Sequence, residues 1–356
     1  MLLKKLFKGL VLIISTLRAD GIIMNLQGKN VLVTGGAGFI GSTLVRELLR
    51  EKANVTVYDN FFSGDMENLE EIKDEIKIVS GNILDPELKN VLQANVIEYV
   101  FHLAAEPYIP YCYDRPKMFF EVNATGTLDV LLACKEGGIK KVVHYSSSEV
   151  YGTAQYVPMD EKHPTLPAST YAVSKLAADR LAFTMFHEQN VPVAILRQFN
   201  VYGPRETHPY IIPELITQLS NSNKLKLGNV KASRDFTYVD DAARGAIEIM
   251  KSKDTIGEVV NMGSGKDYTV QQLAEIIGEL LGRKNLQIET EKTRFRPLDV
   301  QRLQCNYSKM KKLTGWSPKT DFMKGLEKTI QWYSENGKKW IWERKIGPEE
   351  KLWKPK

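Results

Sequence analysis

The chain contains little cysteine, and this shortage excludes two classes of protein. Its 356 residues include three cysteines, Cys112, Cys134 and Cys305, and no CxxC pair. An odd number without paired spacing speaks against a disulfide framework and against a cysteine zinc site, and it is typical of a reducing compartment. The histidines and carboxylates show no metal-ligand spacing either. We therefore predict a cytoplasmic protein without a bound metal.

Dense blocks of one charge and long apolar runs are also missing. The net charge of +5 arises from 48 basic and 43 acidic residues, with no Lys/Arg-dense block in the body of the chain. This balance predicts no nucleic-acid partner. The apolar run Leu10 to Ile14, which follows several lysines, is too short to cross a bilayer, so we predict no stable membrane span.

The first 23 residues allow three interpretations. The first is a dispensable extension, or one that results from an upstream start codon. The second is an interfacial membrane-binding helix, and the third is a secretion signal. Met24 begins the segment MNLQGKNVLVTGG, which is typical of a natural start. We therefore treat 1–23 as an N-terminal extension.

Short apolar runs alternate with helical patterns from Lys29 to about residue 203. The runs are NVLVTGG, ANVTVYDN, IKIVSGN, VIEYVFH, KKVVHYSSS and VPVAILRQFN. Strands that alternate with helices predict an α/β fold with a Rossmann-type, doubly wound parallel sheet. Near-continuous apolar strands are typical of a sheet that is covered on both faces. After residue 203 the elements become short and mixed.

A glycine-rich turn, TGGAGFIG, joins the first strand to the first helix. Gly35, Gly38 and Gly41 allow a tight turn, a close approach of the backbone to a pyrophosphate, and close packing of helix on strand. The helix amino terminus then presents free N–H groups to the phosphates. Asp59 follows the next strand, where its carboxylate accepts hydrogen bonds from ribose hydroxyls and repels a 2′-phosphate. The pattern predicts NAD rather than NADP.

Tyr171 and Lys175 form the second motif, in STYAVSKLAADR. The spacing of four residues places both side chains on one face of a helix. An ammonium group beside a phenol lowers the pKa of the phenol because it stabilises the phenolate. A tyrosine tuned in this way can take a proton from a hydroxyl group near neutral pH.

With these motifs the sequence resembles the extended short-chain dehydrogenase/reductases, the NAD-dependent epimerase/dehydratase family that acts on nucleotide sugars. Further matches are GNILD, FHLAAE, NATGT, YSSSEVYG, YAVSK, RQFNVYGPR, RDFTYVDD and RPLDV, and together they extend from Asn30 to about Tyr333. The resemblance implies that NAD oxidises a sugar carbinol, usually C4, while the tyrosine removes the proton. The 4-keto sugar is then epimerised, dehydrated or decarboxylated.

The resemblance also implies roles for individual residues. Around the cofactor they are Gly38, Phe39 and Ile40 at the pyrophosphate, Asp59 and Asn60 at the adenosine ribose, Asn82 and Ile83 at the adenine, Leu103, Ala104 and Ala105 along the fourth strand end, and Lys175 at the nicotinamide ribose. The residues assigned to the substrate are Glu106, Asn200, Arg234 and Arg296. Arginine suits a diphosphate because its planar fork binds phosphate oxygens bidentately.

These motifs divide the chain into four predicted segments. Residues 1–23 are the extension, and residues 24–203 are the NAD-binding Rossmann domain. Residues 204–340 form a smaller mixed lobe for the nucleotide sugar, and the pattern allows a crossover back to the Rossmann lobe. A basic tail, 341–356, ends the chain.

The segment SSSEVYG, which follows the fifth strand, decides between the reactions of the family. Ser147 matches the residue that hydrogen-bonds the C4 hydroxyl together with Tyr171. A 4,6-dehydratase also needs a base for the C5 proton, and Glu149 fits that role by resemblance. Ser148 stands where dTDP-glucose enzymes have an aspartic acid, and a serine is a poor general acid. We therefore expect Glu149 to protonate the leaving C6 hydroxyl as well.

The prediction is an NAD-dependent nucleotide-sugar 4,6-dehydratase of the UDP-N-acetylglucosamine or GDP-mannose-like branch. A UDP-hexose such as UDP-N-acetylglucosamine is the favoured substrate. A 4-epimerase and a UDP-glucuronate decarboxylase stay open as alternatives, and the decarboxylase needs a cation for the C6 carboxylate, such as Arg205 or Arg234. A non-enzymatic dinucleotide-binding regulator is disfavoured, because such proteins usually lack the tyrosine or the lysine.

Two long helices with broad apolar faces are predicted near 115–136 and 169–189. The resemblance implies that they form a homodimer through a four-helix bundle. Among the histidines, we expect His102 and His144 to pack beside the cofactor without a catalytic role. His187 and His208 are expected in surface or loop positions.

Overall fold

The computed structural model describes residues 24–336 of the chain. The predictions for 1–23 and for the basic tail 341–356 concern residues outside this range. The strands are β1 Asn30–Thr34, β2 Asn54–Asp59, β3 Lys77–Ser80, β4 Tyr99–His102, β5 Lys141–Ser147, β6 Val193–Gln198, β7 Asn200–Tyr202, β8 Lys224–Leu227, β9 Ser233–Tyr238, β10 Val259–Met262, β11 Asp267–Thr269 and β12 Gln287–Thr290.

Eleven α-helices connect and cover these strands within the described residues. They are α1 Phe39–Arg50, α2 Leu88–Ala94, α3 Ile109–Cys112, α4 Pro116–Phe120, α5 Gly126–Glu136, α6 Thr170–Gln189, α7 Ile211–Asn221, α8 Val239–Lys251, α9 Val270–Leu280, α10 Ser308–Thr314 and α11 Phe322–Asn336. Within residues 24–336 no helix has the length and apolar character needed to cross a membrane.

The large sheet has seven parallel strands in the order β10-β6-β5-β4-β1-β2-β3. The central order 3-2-1-4-5-6 is that of a dinucleotide-binding Rossmann sheet, so the predicted fold class is confirmed. Because all strands are parallel, their carboxyl ends lie at one edge. Thr34, Asp59, His102, Ser147 and Gln198 end successive strands at that edge, and ligands bind outside it in sheets of this kind.

Two apolar layers hold the sheet between helices. Val31, Val33 and Leu196 belong to the cluster that packs beneath α1 and α8, whereas Leu32 and Val142 belong to the cluster beneath α2, α5 and α6. Alternate residues of one strand therefore serve opposite faces. This arrangement explains why the strands carry continuous apolar runs.

A smaller mixed lobe lies at the carboxyl edge. Its strands form a three-stranded sheet, β11-β9-β7, and a two-stranded sheet, β12-β8. A separate apolar cluster, which includes Leu215, Phe236 and Leu273, supports it. Between these elements the chain returns to the large sheet, where α8 covers one face and β10 pairs with β6.

The helix predicted over 115–136 is interrupted. The α4 helix ends at Phe120, a π-helical turn covers Glu121–Thr125, and α5 begins at Gly126. The amide of Asn123, in this turn, accepts a hydrogen bond from the backbone N–H of Glu106 and donates one to the hydroxyl of Ser174. Extra-residue turns of this type occur frequently at functional sites, and a helical spacing of apolar residues cannot reveal them.

Candidate active site

The glycine-rich turn begins directly after β1. Gly35 has φ +72°, and a Cβ atom there would lie 2.7 Å from the backbone nitrogen of Ala104. A side chain at Gly41 would collide with the carbonyl oxygen of Gly35. The α1 helix begins at Phe39, and the extended Gly38 before it provides no side-chain cap. The first N–H groups of α1 are therefore available to a phosphate group.

The carboxylate of Asp59 lies where β2 ends and is buried. It accepts hydrogen bonds from the backbone N–H of Ala37, at 2.9 Å, and from that of Phe61, at 2.8 Å. It thus ties the glycine-rich turn to the loop after β2. Asp59 also lines the cavity onto which the glycine-rich turn opens.

SSSEVYG folds as the end of β5 followed by a 3-10 turn, Ser148–Tyr151. Ser147 is the extended residue before the turn, and its hydroxyl accepts a hydrogen bond from the N–H of Glu149 at 3.2 Å. Gly152 ends the turn with φ +67°, and a Cβ atom there would collide with the carbonyl of Leu166. The segment therefore has a fixed backbone at the edge where substrates bind.

Tyr171 lies in the first turn of α6, which is capped by the hydroxyl of Ser169. Burial raises the pKa of the Tyr171 phenol to about 12, although a hydrogen bond with Ser147 opposes this change. Burial also lowers the pKa of Lys175 to about 8. The ammonium group of Lys175 donates to the backbone carbonyl of Tyr145, at 2.5 Å. The lowered tyrosine pKa expected from the spacing is therefore absent, because burial outweighs the nearby groups.

Glu149 and Arg234 form an ion pair between the two lobes. Nε of Arg234, on β9, lies 3.6 Å from Oε1 of Glu149, and both side chains are 12 % exposed. Burial lowers the pKa of Arg234, while Glu149 raises it and Arg296 lowers it further. Arg205, the other cation considered for this position, instead pairs with Glu71 at 3.2 Å.

A buried polar network lies behind SSSEVYG. The carboxylate of Asp179 accepts hydrogen bonds from the hydroxyl of Ser146, at 2.8 Å, and from two guanidinium nitrogens of Arg197, each at 2.9 Å. Arg197 also donates to the hydroxyl of Tyr151, at 3.0 Å, and that hydroxyl donates to Asn261 at 2.7 Å. Fully paired buried networks make their surroundings rigid. This one holds both ends of the segment that carries Glu149.

One cavity of about 490 Å³ brings the predicted residues together. Every residue predicted for the cofactor, the chemistry or the substrate lines it: Gly35, Gly38, Phe39, Ile40, Gly41, Asp59, Asn60, Asn82, Ile83, Leu103, Ala104, Ala105, Glu106, Ser147, Ser148, Glu149, Tyr171, Lys175, Asn200, Arg234 and Arg296. The roles of these residues stay predictions. The placement fits a ligand that extends from the glycine-rich turn to the small lobe.

The sequence reasoning missed an aromatic wall of the cavity. Tyr108 and Tyr210 line it, with their rings in edge-to-face contact at 5.7 Å. His208, expected in a surface or loop position, lies in the loop before α7, where its side chain is buried and its ring stacks on that of Tyr108 with centres 5.0 Å apart. These residues lie in or beside irregular segments, so no periodic pattern marks them. The concentration of tyrosines in PYIPYCY is the one signal that the sequence offered.

His102 has a structural environment. Its ring is hydrogen-bonded to the hydroxyls of Thr34 and Thr127, at 2.8 and 3.0 Å. Burial lowers its pKa to about 3, so the ring is neutral at physiological pH. His144 is also buried and stacks on His102, with ring centres 5.4 Å apart. Among residues 24–336 no cluster of histidine, cysteine and carboxylate side chains could hold a metal ion.

Comparison with known proteins identifies one family over most of the chain. Residues 32–329 match the GDP-mannose 4,6 dehydratase family. A curated relative from Bacillus cytotoxicus, a UDP-N-acetyl-alpha-D-glucosaminuronate decarboxylase, is 34% identical over 320 residues, which cover 86% of this chain and 98% of the relative.

Two solved structures add further reactions. A dTDP-glucose 4,6-dehydratase from Streptomyces venezuelae, solved with NAD bound, has a TM-score of 0.82 and 31% identity, covering 87% of this chain and 98% of that one. A UDP-N-acetylglucosamine 4-epimerase from Methanobrevibacter ruminantium has a TM-score of 0.80 and 33% identity, covering 87% and 99%. The similar proteins thus include a decarboxylase, a dehydratase and an epimerase, all at comparable identity.

Proposed function

This chain belongs to the GDP-mannose 4,6 dehydratase family, and from that premise we propose that it is an NAD-dependent nucleotide-sugar 4,6-dehydratase. The expected product is a 4-keto-6-deoxy sugar nucleotide, formed from a UDP-hexose such as UDP-N-acetylglucosamine. The observation that carries the proposal is Glu149. It lines the same cavity as Tyr171 and Lys175, on a turn whose backbone is fixed by Ser147. A simple epimerase needs no further acid or base at this position.

The residues at the glycine-rich turn fit the cofactor. The N–H groups at the start of α1 would hold the pyrophosphate, and Asp59 would accept hydrogen bonds from the ribose hydroxyls. When bound, NAD supplies the hydride acceptor for C4 and the hydride donor for C6, and its positive charge in the oxidised form favours the phenolate of Tyr171. That charge offsets the burial that raises the pKa of Tyr171 to about 12 in the protein alone.

The chain's own groups move the protons. Tyr171 takes the proton of the C4 hydroxyl, which Ser147 holds in position by a hydrogen bond. Once C4 is a ketone, the proton on C5 becomes acidic, and the carboxylate of Glu149 removes it. Arg234 forms an ion pair with that carboxylate at 3.6 Å. The Ser148 hydroxyl is a poor acid, so another group must protonate the hydroxyl that leaves C6.

A UDP-glucuronate decarboxylase is the second candidate, and the position of Arg234 favours it. A decarboxylase needs a cation near the C6 carboxylate, and the Arg234 guanidinium is placed beside Glu149. However, the Arg234 guanidinium is already paired with a carboxylate of the protein, that of Glu149. A substrate carboxylate would have to compete with Glu149 for the same guanidinium, and this competition makes us rank dehydration first.

Product mass separates the candidates. The protein is incubated with NAD and, in turn, UDP-N-acetylglucosamine, UDP-glucose, dTDP-glucose, GDP-mannose and UDP-glucuronate. Loss of water from one of the first four supports the dehydratase. Loss of CO₂ from UDP-glucuronate, or an unchanged mass with a new C4 stereoisomer by NMR, contradicts it.

Replacing Glu149 with glutamine tests the assignment of the base. Glu149→Gln should bind NAD and oxidise C4 normally but lose water at least about 100-fold more slowly, since general base catalysis contributes this much or more. The matched control is Glu98→Gln, because Glu98 is also ion-paired, with Lys140 at 2.6 Å, but lies beside the opposite edge of the sheet. Dehydration by Glu149→Gln at near the parent rate would show that Glu149 is not the base.

We further propose a homodimer that is formed by α4, α5 and α6. Phe120, Leu132 and Val173, on these helices, are 45%, 36% and 44% exposed. Exposed apolar side chains on neighbouring helices are suited to a bundle with a second copy. Sedimentation at micromolar concentration should give twice the mass of the chain, and replacing both Phe120 and Leu132 with glutamate should give a monomer. A parent protein that sediments as a monomer would refute this assembly.

A further inference from the structure

The carboxyl group of Glu106 faces the cavity and has no protein partner among the described residues. The residue is 6 % exposed and lines the cavity. Within residues 24–336 its carboxyl oxygens take part in no hydrogen bond and no ion pair, whereas its backbone N–H and carbonyl are both bonded to Asn123. Carboxyl oxygens that face a cavity and have no protein partner can bond to a ligand there. Such a group in a cavity therefore points to a role toward the ligand.

The backbone of Glu106 is held in a fixed relation to the catalytic tyrosine. The amide of Asn123 donates to the hydroxyl of Ser174, at 2.9 Å, and that hydroxyl donates to the backbone carbonyl of Tyr171, at 2.7 Å. Asn123 is the residue that the π-helical turn presents to the site. Glu106, Asn123, Ser174 and Tyr171 thus form one connected unit, so the position of the Glu106 backbone is set relative to Tyr171.

Glu106 and Ser148 both lie beyond the carboxyl ends of neighbouring strands, β4 and β5. His102 on β4 pairs with His144 on β5, and each of the two residues comes four positions after its histidine. Parallel strands end at one edge, so both side chains belong to the same part of the cavity. Glu106 therefore occupies the neighbourhood in which Ser148 provides no acid.

The elimination step needs one anionic carboxylate and one protonated acid. Glu149, in its ion pair with Arg234, is the group placed as the base. No guanidinium or ammonium group lies within ion-pair distance of Glu106 among the described residues. Burial raises the pKa of Glu106 to about 7, and Arg115 opposes this change. Of the two carboxyl groups, Glu149 therefore has a cation beside it and Glu106 has none, which suits a base and an acid in different surroundings.

The neighbouring phenols are weaker candidates. Burial raises the pKa of Tyr108 and of Tyr210 above the ordinary value of a phenol, so neither gives up a proton easily near pH 7. Tyr171 is already assigned to the C4 hydroxyl with Ser147. Of the titratable side chains discussed for this part of the cavity, Glu106 is the one suited to give a proton.

We propose that Glu106 is the catalytic acid that protonates the C6 hydroxyl as it leaves. The proposal rests on the proposed 4,6-dehydratase function, and it replaces the double role expected for Glu149. The C5–H bond breaks as its proton goes to Glu149, the C5–C6 double bond forms, and the C6–O bond breaks as the Glu106 proton goes to oxygen and water leaves. Hydride then returns to C6, and Glu149 returns its proton to C5.

The proton balance closes over one turnover. Tyr171 has gained the proton of the C4 hydroxyl, and Glu106 has lost one proton to water. Transfer of one proton from Tyr171 to Glu106, directly or through solvent, restores the starting state. Glu149 ends each cycle as it began.

Replacing Glu106 with glutamine tests the assignment in the complete protein. Glu106→Gln keeps the size and polarity of the side chain but cannot give up a proton. With the sugar nucleotide that the parent dehydrates, the variant should still reduce NAD and still exchange the C5 proton with deuterium from D₂O. Water loss should fall at least about 100-fold, so that reduced NAD accumulates.

A substrate analogue separates an acid from a structural residue. The 6-deoxy-6-fluoro form of the same sugar nucleotide releases fluoride, which leaves without protonation. From this analogue, Glu106→Gln should release fluoride at nearly the parent rate. With the natural substrate, the double variant Glu106→Gln with Ser148→Asp should regain water loss, because the aspartic acid provides an acid just beyond the end of β5. A structural defect would slow both substrates equally.

The outcomes distinguish the two proposals. If the parent protein loses no water from any sugar nucleotide, the dehydratase proposal and the role of Glu106 both fail. If the parent dehydrates and Glu106→Gln does so at a similar rate, Glu106 is not the acid but the dehydratase proposal stands. If the variant no longer reduces NAD, or releases fluoride as slowly as water, Glu106 binds the sugar and the acid role is refuted.

Discussion

The Asp179–Arg197 pair offers a measurable test of what holds the catalytic segment in place. The two side chains are 0% and 4% exposed, and Asp179 accepts two hydrogen bonds from Arg197 and one from Ser146. Asp179→Ala removes all three and leaves a buried guanidinium with only the Tyr151 hydroxyl. Removing one partner of a buried ion pair typically destabilises a protein by about 3–5 kcal/mol, and we expect a loss in this range.

The loss is measured as the change in the free energy of unfolding, from guanidinium denaturation followed by tryptophan fluorescence. The matched control is Glu70→Ala, because Glu70 pairs with Lys73 at the surface, where the side chains are 58% and 45% exposed. An exposed pair of this kind contributes little, so the control should unfold at the parent midpoint. A third variant, Asp179→Leu with Arg197→Met, should recover much of the lost stability, since apolar replacement of a whole buried pair is often neutral.

The same substitution should also affect the reaction. Ser146 precedes Ser147, and Tyr151 follows Glu149 by two residues, so loosening the network loosens the turn between them. Under conditions where Asp179→Ala is fully folded, we expect a lower rate of C4 oxidation and an almost unchanged Kd for NAD. If Asp179→Ala unfolds at the same denaturant concentration as the parent, the buried pair does not stabilise the protein as argued. If the folded variant oxidises C4 at the parent rate, the network does not hold the catalytic turn in place.

Two further predictions concern the cofactor side of the cavity. Gly35→Ala should weaken NAD binding in calorimetry by at least about tenfold, or about 1.4 kcal/mol, because the added Cβ would lie 2.7 Å from the Ala104 nitrogen. The control is Gly138→Ala, since Gly138 also has a positive φ, +66°, but has open space around it. Equal effects of the two substitutions on NAD binding would contradict the steric argument. For Tyr171, ultraviolet titration should show ionisation near pH 12 in the protein alone and at lower pH once oxidised NAD is added. The Tyr171→Phe variant should lack this transition, and an unchanged transition after NAD addition would refute the charge effect.

The local motifs were readable because each has a direct physical requirement. Glycine is needed at Gly35, where φ is positive and the backbone of Ala104 is close. Alternation of apolar strands and amphipathic helices determines a doubly wound sheet, and the carboxyl ends of its strands must then meet at one edge. For this reason the alternation alone assigns Asp59 to that edge, whereas Arg296, which follows no strand of the large sheet, was assigned to the substrate by the resemblance to the family.

Other features depend on tertiary contacts that have no local pattern. The π-helical turn Glu121–Thr125 follows ordinary helical spacing in sequence, and its purpose is visible only in the bonds of Asn123 to Glu106 and Ser174. Spacing placed Lys175 beside Tyr171 but could not give the degree of burial that sets the pKa of the phenol. The ion pair of Glu149 with Arg234 joins two lobes, and its 3.6 Å distance arises from the packing of one lobe on the other.

The position of β10 has a consequence for synthesis of the chain on the ribosome. β6 is complete at Gln198, but the strand that pairs with its outer side, β10, ends at Met262. While the intervening residues are being translated, the N–H and C=O groups of β6 have no strand to bond on that side, and an open strand edge can pair with other chains. The large sheet can therefore close only after β8 and β9 of the small lobe have emerged, so the two lobes mature together rather than one after the other.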